Sequence, residues 1–120
     1  MKGEMYLKKT DDFAMVHNQG KWIGNKLIGI KSIPNGLDLS RWGIITSKRL
    51  GKAVTRNLIK RRLREIIRGF NLKRGYDIII IGRAGAINSN FTELKNSVYH
   101  LLAQGNLLDI GNEKNRIGND

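Results

Sequence analysis

Four consecutive isoleucines, Ile78 to Ile81, restrict the fold of this chain more than any other feature. Each is branched at Cβ, which disfavours helix and suits a pleated strand. Successive strand side chains point to opposite faces, so an unbroken apolar run needs cover on both sides. Tyr76 to Gly82, preceded by Gly75, therefore reads as a strand buried on both faces.

The neighbouring segments supply the cover. Thr10 reads as the cap of a first helix, with Asp11 and Asp12 near its positive end, Phe13 and Val16 on one face and Gly20 as its stop. From Lys21 to Ile33, short apolar stretches broken by Gly24-Asn25 read as strand, turn and strand, and Pro34-Asn35-Gly36 is a strong turn signal. Arg41 to Thr46 is a third strand, Ser47 to Lys52 a basic loop, and Ala53 to Phe70 the best helix in the chain. Asn90-Phe91-Thr92-Glu93 resembles a capping box, and Phe91, Leu94, Val98, Leu101 and Leu102 follow at helical spacing. The order helix, three strands, helix, strand, helix predicts an α+β two-layer sandwich with helices on a mostly antiparallel sheet. With 120 residues, 40% of them hydrophobic, the chain can form one modest core. We read a single domain over residues 1–106 and a polar, flexible tail over 107–120.

The charge balance narrows the partners. Lys and Arg number 22 against 10 Asp and Glu, for a formal net charge of +12. Such an excess attracts polyanions, nucleic acid before an anionic membrane face. Aromatic residues make up 7% of the chain, which argues against a binder that works mainly by stacking bases. There is no Cys, which excludes disulfides and thiolate metal sites. The first nine residues carry no apolar signal-peptide core, and the longest apolar run is far short of a membrane span. The expectation is a cytoplasmic protein with no membrane and no obligate protein partner.

Between Ser47 and Arg68 the bases are Lys48, Arg49, Lys52, Arg56, Lys60, Arg61, Arg62, Arg64 and Arg68, and Glu65 is the only acid. At roughly 100° per residue, Ile59, Leu63, Ile66, Ile67 and Phe70 group together and should face the core. Arg56, Lys60, Arg64, Asn57, Arg68 and Arg61 fill a neighbouring arc of about 140°. Like charges at i,i+4 repel, so an isolated helix would tolerate this arc poorly. Most charged helix faces are merely solvated, but a single-signed face behind a Gly-containing basic loop favours a nucleic acid. Arg offers planar paired donors to phosphate, and backbone N–H groups at the helix start can add more.

The stretch Ser47-Lys48-Arg49-Leu50-Gly51-Lys52-Ala53-Val54-Thr55-Arg56-Asn57 followed by a basic helix resembles the bacterial ribonuclease P protein family. The resemblance extends from about residue 7 to residue 104. It takes in Leu7-Lys8-Lys9, Asp12-Phe13, Val16 and Gly20, then Trp42-Gly43-Ile44, Gly75-Tyr76-Asp77 and the final helix. It implies a left-handed β-α-β crossover around the basic helix and a protein that assists a catalytic RNA. That RNA, with magnesium, removes the 5′ leader of precursor tRNA. The resemblance implies that Lys52, Arg56, Asn57, Lys60, Arg61, Arg64 and Arg68 contact the catalytic RNA. It also implies a leader cleft of Phe13, His17 and Lys31, with Lys48 and Arg49 at its edge. The sequence departs from the family pattern at Leu58, where an arginine is usual, and at His17 and Lys31, where aromatics are usual.

No self-contained active site or protein metal site emerges from the residues. The two histidines, His17 and His100, fall on different predicted helices, and Asp77 with Glu93 or Asp109 makes no recognisable acid–base pattern. Gly82-Arg83-Ala84-Gly85 follows a strand but lacks the ending of a phosphate loop. A ribosomal or other structural RNA-binding protein would carry the same charge without the Ser47 to Arg61 signature. A DNA-binding module lacks a helix-turn-helix pattern to support it.

Overall fold

A computed structural model describes residues 4–7 and 9–109. The elements are β1 (Glu4–Tyr6), α1 (Thr10–Gln19), β2 (Lys21–Gly24), β3 (Ile28–Pro34), β4 (Ser40–Thr46), α2 (Ala53–Arg68), β5 (Tyr76–Gly82) and α3 (Phe91–Gln104). Two short 3-10 turns, Lys48–Leu50 and Ala84–Asn88, follow β4 and β5. The sheet order is β1-β4-β5-β3-β2. The β2–β3 and β3–β5 ladders are antiparallel, whereas β1–β4 and β4–β5 are parallel. The expected α+β order is thus present, but the sheet is mixed rather than mostly antiparallel, because β1 adds a second parallel ladder to the one that α2 makes by joining β4 and β5. Strand β1 is an addition that no local pattern announced, because its ladder with β4 is set by register across the fold.

The isoleucine run divides as its alternation requires. Ile78 and Ile80 enter the main core with Ile30, Trp42 and the buried faces of α2 and α3. Ile79 forms a second cluster on the opposite face with Leu7 and Val16, against which Phe13, Ile33, Ile45 and Ile81 pack. The sheet with α2 and α3 makes the two-layer sandwich, and α1 covers part of the other face. Burying Ile78, Ile79 and Ile80 contributes about 1.5–3 kcal/mol each.

Local chemistry sets most boundaries. Asn90 and Glu93 form a reciprocal capping box at α3, both bonds 2.8 Å long. Asn25 Oδ1 accepts from the Leu27 and Ile28 amides in the β2–β3 turn. Asn35 Oδ1 does the same for Leu37, beside Gly36 at a φ of 73°. Thr10 is not the cap expected of it. It is the first helical residue, and Lys9 holds the N-cap position without a side-chain bond. The segment beyond α3 also differs from the expected tail. Leu107 and Leu108 are buried in the main core, Leu108 bridges Leu72, and Lys73 N donates to Leu107 O at 2.7 Å. Two leucines have enough apolar surface to hold this stretch down. Residues 110–120 of that expected tail lie outside the described residues.

Candidate nucleic-acid interface

Helix α2 separates its faces as the 3.6-residue period dictates. Ile59, Leu63, Ile66 and Ile67 are buried along one side, with Phe70 just beyond the helix end. The basic arc grades away from them. Arg56, Lys60 and Arg64 are half-buried along the seam, while Asn57, Arg61 and Arg68 are exposed. Arg56 Nε is buried without a hydrogen-bond partner among the described residues. Arg68 reaches β1, donating to Tyr6 Oη at 3.0 Å with its guanidinium 5.9 Å from the Tyr6 ring centroid. Among the described residues the ion pairs are Arg41–Asp12, Arg41–Asp77 and Arg74–Asp38, so none of the arc is neutralised there. Arg62 does not join the arc. It donates to Ser89 O at 3.3 Å and braces the turn after β5.

The approach to α2 is shaped by Gly51, whose φ of 99° is open to glycine and strained for other residues. Ser47 Oγ accepts from Arg49 N and holds Lys48 and Arg49 on an exposed turn. Lys52 caps α2 through its backbone alone, and the first turn has no acid. The positive end of the helix therefore adds to the field of the arc.

Of the residues expected to form a leader cleft, Phe13, His17 and Lys31 lie on the other face of the sheet. Strand register places Gly43, Ile79, Lys31 and Trp22 in one row across β4, β5, β3 and β2. The next row is Ile45, Ile81, Gly29 and Gly24. Phe13 lies on Gly43, where a Cβ would meet its ring at 2.5 Å. Lys31 Nζ donates to His17 O at 2.9 Å and stands 3.3 Å from His17 Nδ1. Phe13, His17 and Lys31 are thus brought together along the α1 seam. Lys48 and Arg49 stand further off, beyond the C-terminal end of β4. Ile45 and Ile81 remain half-exposed and form an apolar floor.

Two features of this face escaped the sequence reading. Trp22 is exposed and lies across Gly24 and Gly29, and the signal for it was a pair of strand glycines beside a surface tryptophan. At the far end, Arg41 bridges Asp77 at 2.6 Å and Asp12 at 3.3 Å.

A helix with a single-signed basic face on one side of a mixed sheet, and a cation-edged groove on the other, define an α+β protein with two basic surfaces. The family model of ribonuclease P matches residues 1–105. The chain belongs to the ribonuclease P protein family, whose members are protein subunits of a ribonucleoprotein endoribonuclease. It is 40% identical over 114 residues to the ribonuclease P protein component of Dehalococcoides mccartyi, covering 95% of each chain. It is 41% identical over 98 residues to that of Caldanaerobacter subterraneus subsp. tengcongensis, covering 80% of this chain and 84% of the relative. The solved RNase P protein of Staphylococcus aureus superposes with a TM-score of 0.77 at 32% identity, over 87% of this chain and 97% of that one. That of Thermotoga maritima gives 0.73 at 30% identity, over 82% and 96%.

Proposed function

We propose that this chain holds the catalytic RNA of ribonuclease P along α2 and the single-stranded 5′ leader of precursor tRNA in the groove beside α1. The observation that carries the reading is the row Arg56, Lys60, Arg64 and Arg68, spaced four residues apart on one side of one helix and without an ion pair among the described residues. Its mutual repulsion is relieved when phosphates lie against it. Lys52, Asn57 and Arg61 extend that surface, and the guanidinium forks of its arginines suit phosphate oxygens. In the groove, Phe13 gives a partly open ring, His17 and Lys31 give polar donors, and Lys48 and Arg49 draw the leader past the end of β4.

The hydrolysis belongs to the RNA. Magnesium supplies the water activation and charge stabilisation of that reaction. The protein's own residues do not fit such an ion. No three His, Asp or Glu side chains converge among the described residues, and Asp12 and Asp77 are both committed to Arg41. The chain acts by placing cations between two polyanions, which lowers the divalent-ion concentration the assembly needs. Such work belongs in the cytoplasm, where tRNA matures, and no described helix is long and apolar enough to cross a membrane.

Filter binding at moderate salt tests the reading. A bacterial ribonuclease P RNA should bind far more tightly than duplex DNA of equal length. Equal affinity for the duplex, or co-sedimentation with ribosomes in preference to one discrete RNA, would contradict it.

A further inference from the structure

We propose that Trp22 is a stacking platform for a base of the single-stranded RNA, at the outer wall of the groove on β2. The inference rests on the leader reading above and adds a subsite to it. Trp22 is 47% exposed, yet its indole is fixed. It lies over Gly24 and Gly29, and a Cβ at Gly29 would clash with the six-membered ring, so both glycines form its seat. Indole carbons rest on bare backbone while nearly half of the residue's surface stays open to solvent.

Its surroundings suit an anion-bearing aromatic ligand. Arg83, at the end of β5, places its guanidinium carbon 5.6 Å from the indole centroid and is itself anchored by a 2.6 Å bond from NH1 to Asn25 O. Lys31 is the direct cross-strand partner of Trp22. No acid occurs between Phe13 and Leu37, so the β2–β3 hairpin carries Lys21, Lys26 and Lys31 unopposed in sequence. An exposed ring flanked by a fixed guanidinium and a lysine offers stacking and phosphate contact together. An apolar protein partner would gain nothing from those cations.

Trp22 is three strands from Gly43 and the Phe13 that covers it, roughly 14 Å at the usual spacing. A leader crossing the sheet meets an aromatic at each end and lysine between them.

The test uses the protein assembled with a bacterial ribonuclease P RNA and compares precursor tRNA carrying a long leader with one whose leader is cut to its last nucleotides. Wild type should prefer the long leader, and Trp22→Ala should weaken that binding about five- to tenfold. The short-leader substrate should bind Trp22→Ala and wild type alike, and Trp22→Phe should keep most of the affinity. Equal long-leader binding by Trp22→Ala and wild type overturns the proposal, as does an equal loss on both substrates. A wild-type protein indifferent to leader length would overturn the leader reading itself. Should Trp22→Ala fail to fold, wild-type tryptophan emission decides. Quenching by a single-stranded RNA oligonucleotide supports the platform, and unchanged emission refutes it.

Discussion

Arg41 and Asp77 face each other across the β4–β5 ladder and share two hydrogen bonds, Nε to Oδ1 at 2.8 Å and NH2 to Oδ2 at 2.6 Å. Asn35 Nδ2 adds a third to Asp77 at 2.9 Å, and Asp12 of α1 meets Arg41 from above. One guanidinium thus ties β4, β5 and α1 at the end of the groove remote from Trp22.

Asp77→Ala should lower stability by about 1–3 kcal/mol, because a half-buried Arg41 loses two hydrogen bonds and keeps only its contact with Asp12. Chemical denaturation measures the loss. Arg41 should add no pH dependence near neutrality. The Asp77 hydrogen bond, opposed by burial and helped by the charges of Asp77 and Asp12, holds Arg41 above the usual arginine value. A raised folded pKa stabilises below the unfolded value and is lost as pH rises through the folded one. Both lie in strongly alkaline solution.

Replacing Arg56, Lys60 and Arg64 together by Ala should weaken binding to the catalytic RNA and flatten its dependence on salt. Each lost phosphate contact removes about 0.7–0.9 from the slope of log affinity against log salt. An unchanged slope in the triple variant would show that the RNA lies elsewhere.

Gly43→Ala drives a methyl group into the Phe13 ring. Overpacking of this kind costs about 1–3 kcal/mol and should displace the ring. Leader-dependent substrate affinity should fall, while affinity for the catalytic RNA stays near wild type. Parallel titrations of the two ligands separate these effects.

Gly51→Ala should cost roughly 1–3 kcal/mol, since a side chain is strained at that backbone conformation. The same change re-aims the Lys48–Leu50 turn. A loss of RNA affinity in a variant shown by circular dichroism to be folded would place the loop in the interface. Retained affinity would make Gly51 a purely structural residue.

What the sequence disclosed was local. The alternation of Ile78 to Ile81, the wheel of α2, the Asn90–Glu93 box and the Asn25 and Asn35 turns each depend on residues close in the chain. What it withheld was register. The β1–β4 ladder, the Leu72–Leu108 bridge, the Arg41–Asp77 pair and the seating of Trp22 on Gly29 join segments whose alignment only the folded sheet sets. Thr10 is a small instance of the same limit: a good capping residue entered the helix because the chain turned one residue earlier.

Precursor-tRNA cleavage by a bacterial ribonuclease P RNA at low magnesium, with and without this protein, tests the account most directly. The account predicts that cleavage, negligible for the RNA alone, becomes efficient when the protein is added. If the protein leaves cleavage unchanged with an RNA that the Staphylococcus aureus RNase P protein stimulates, the account is wrong.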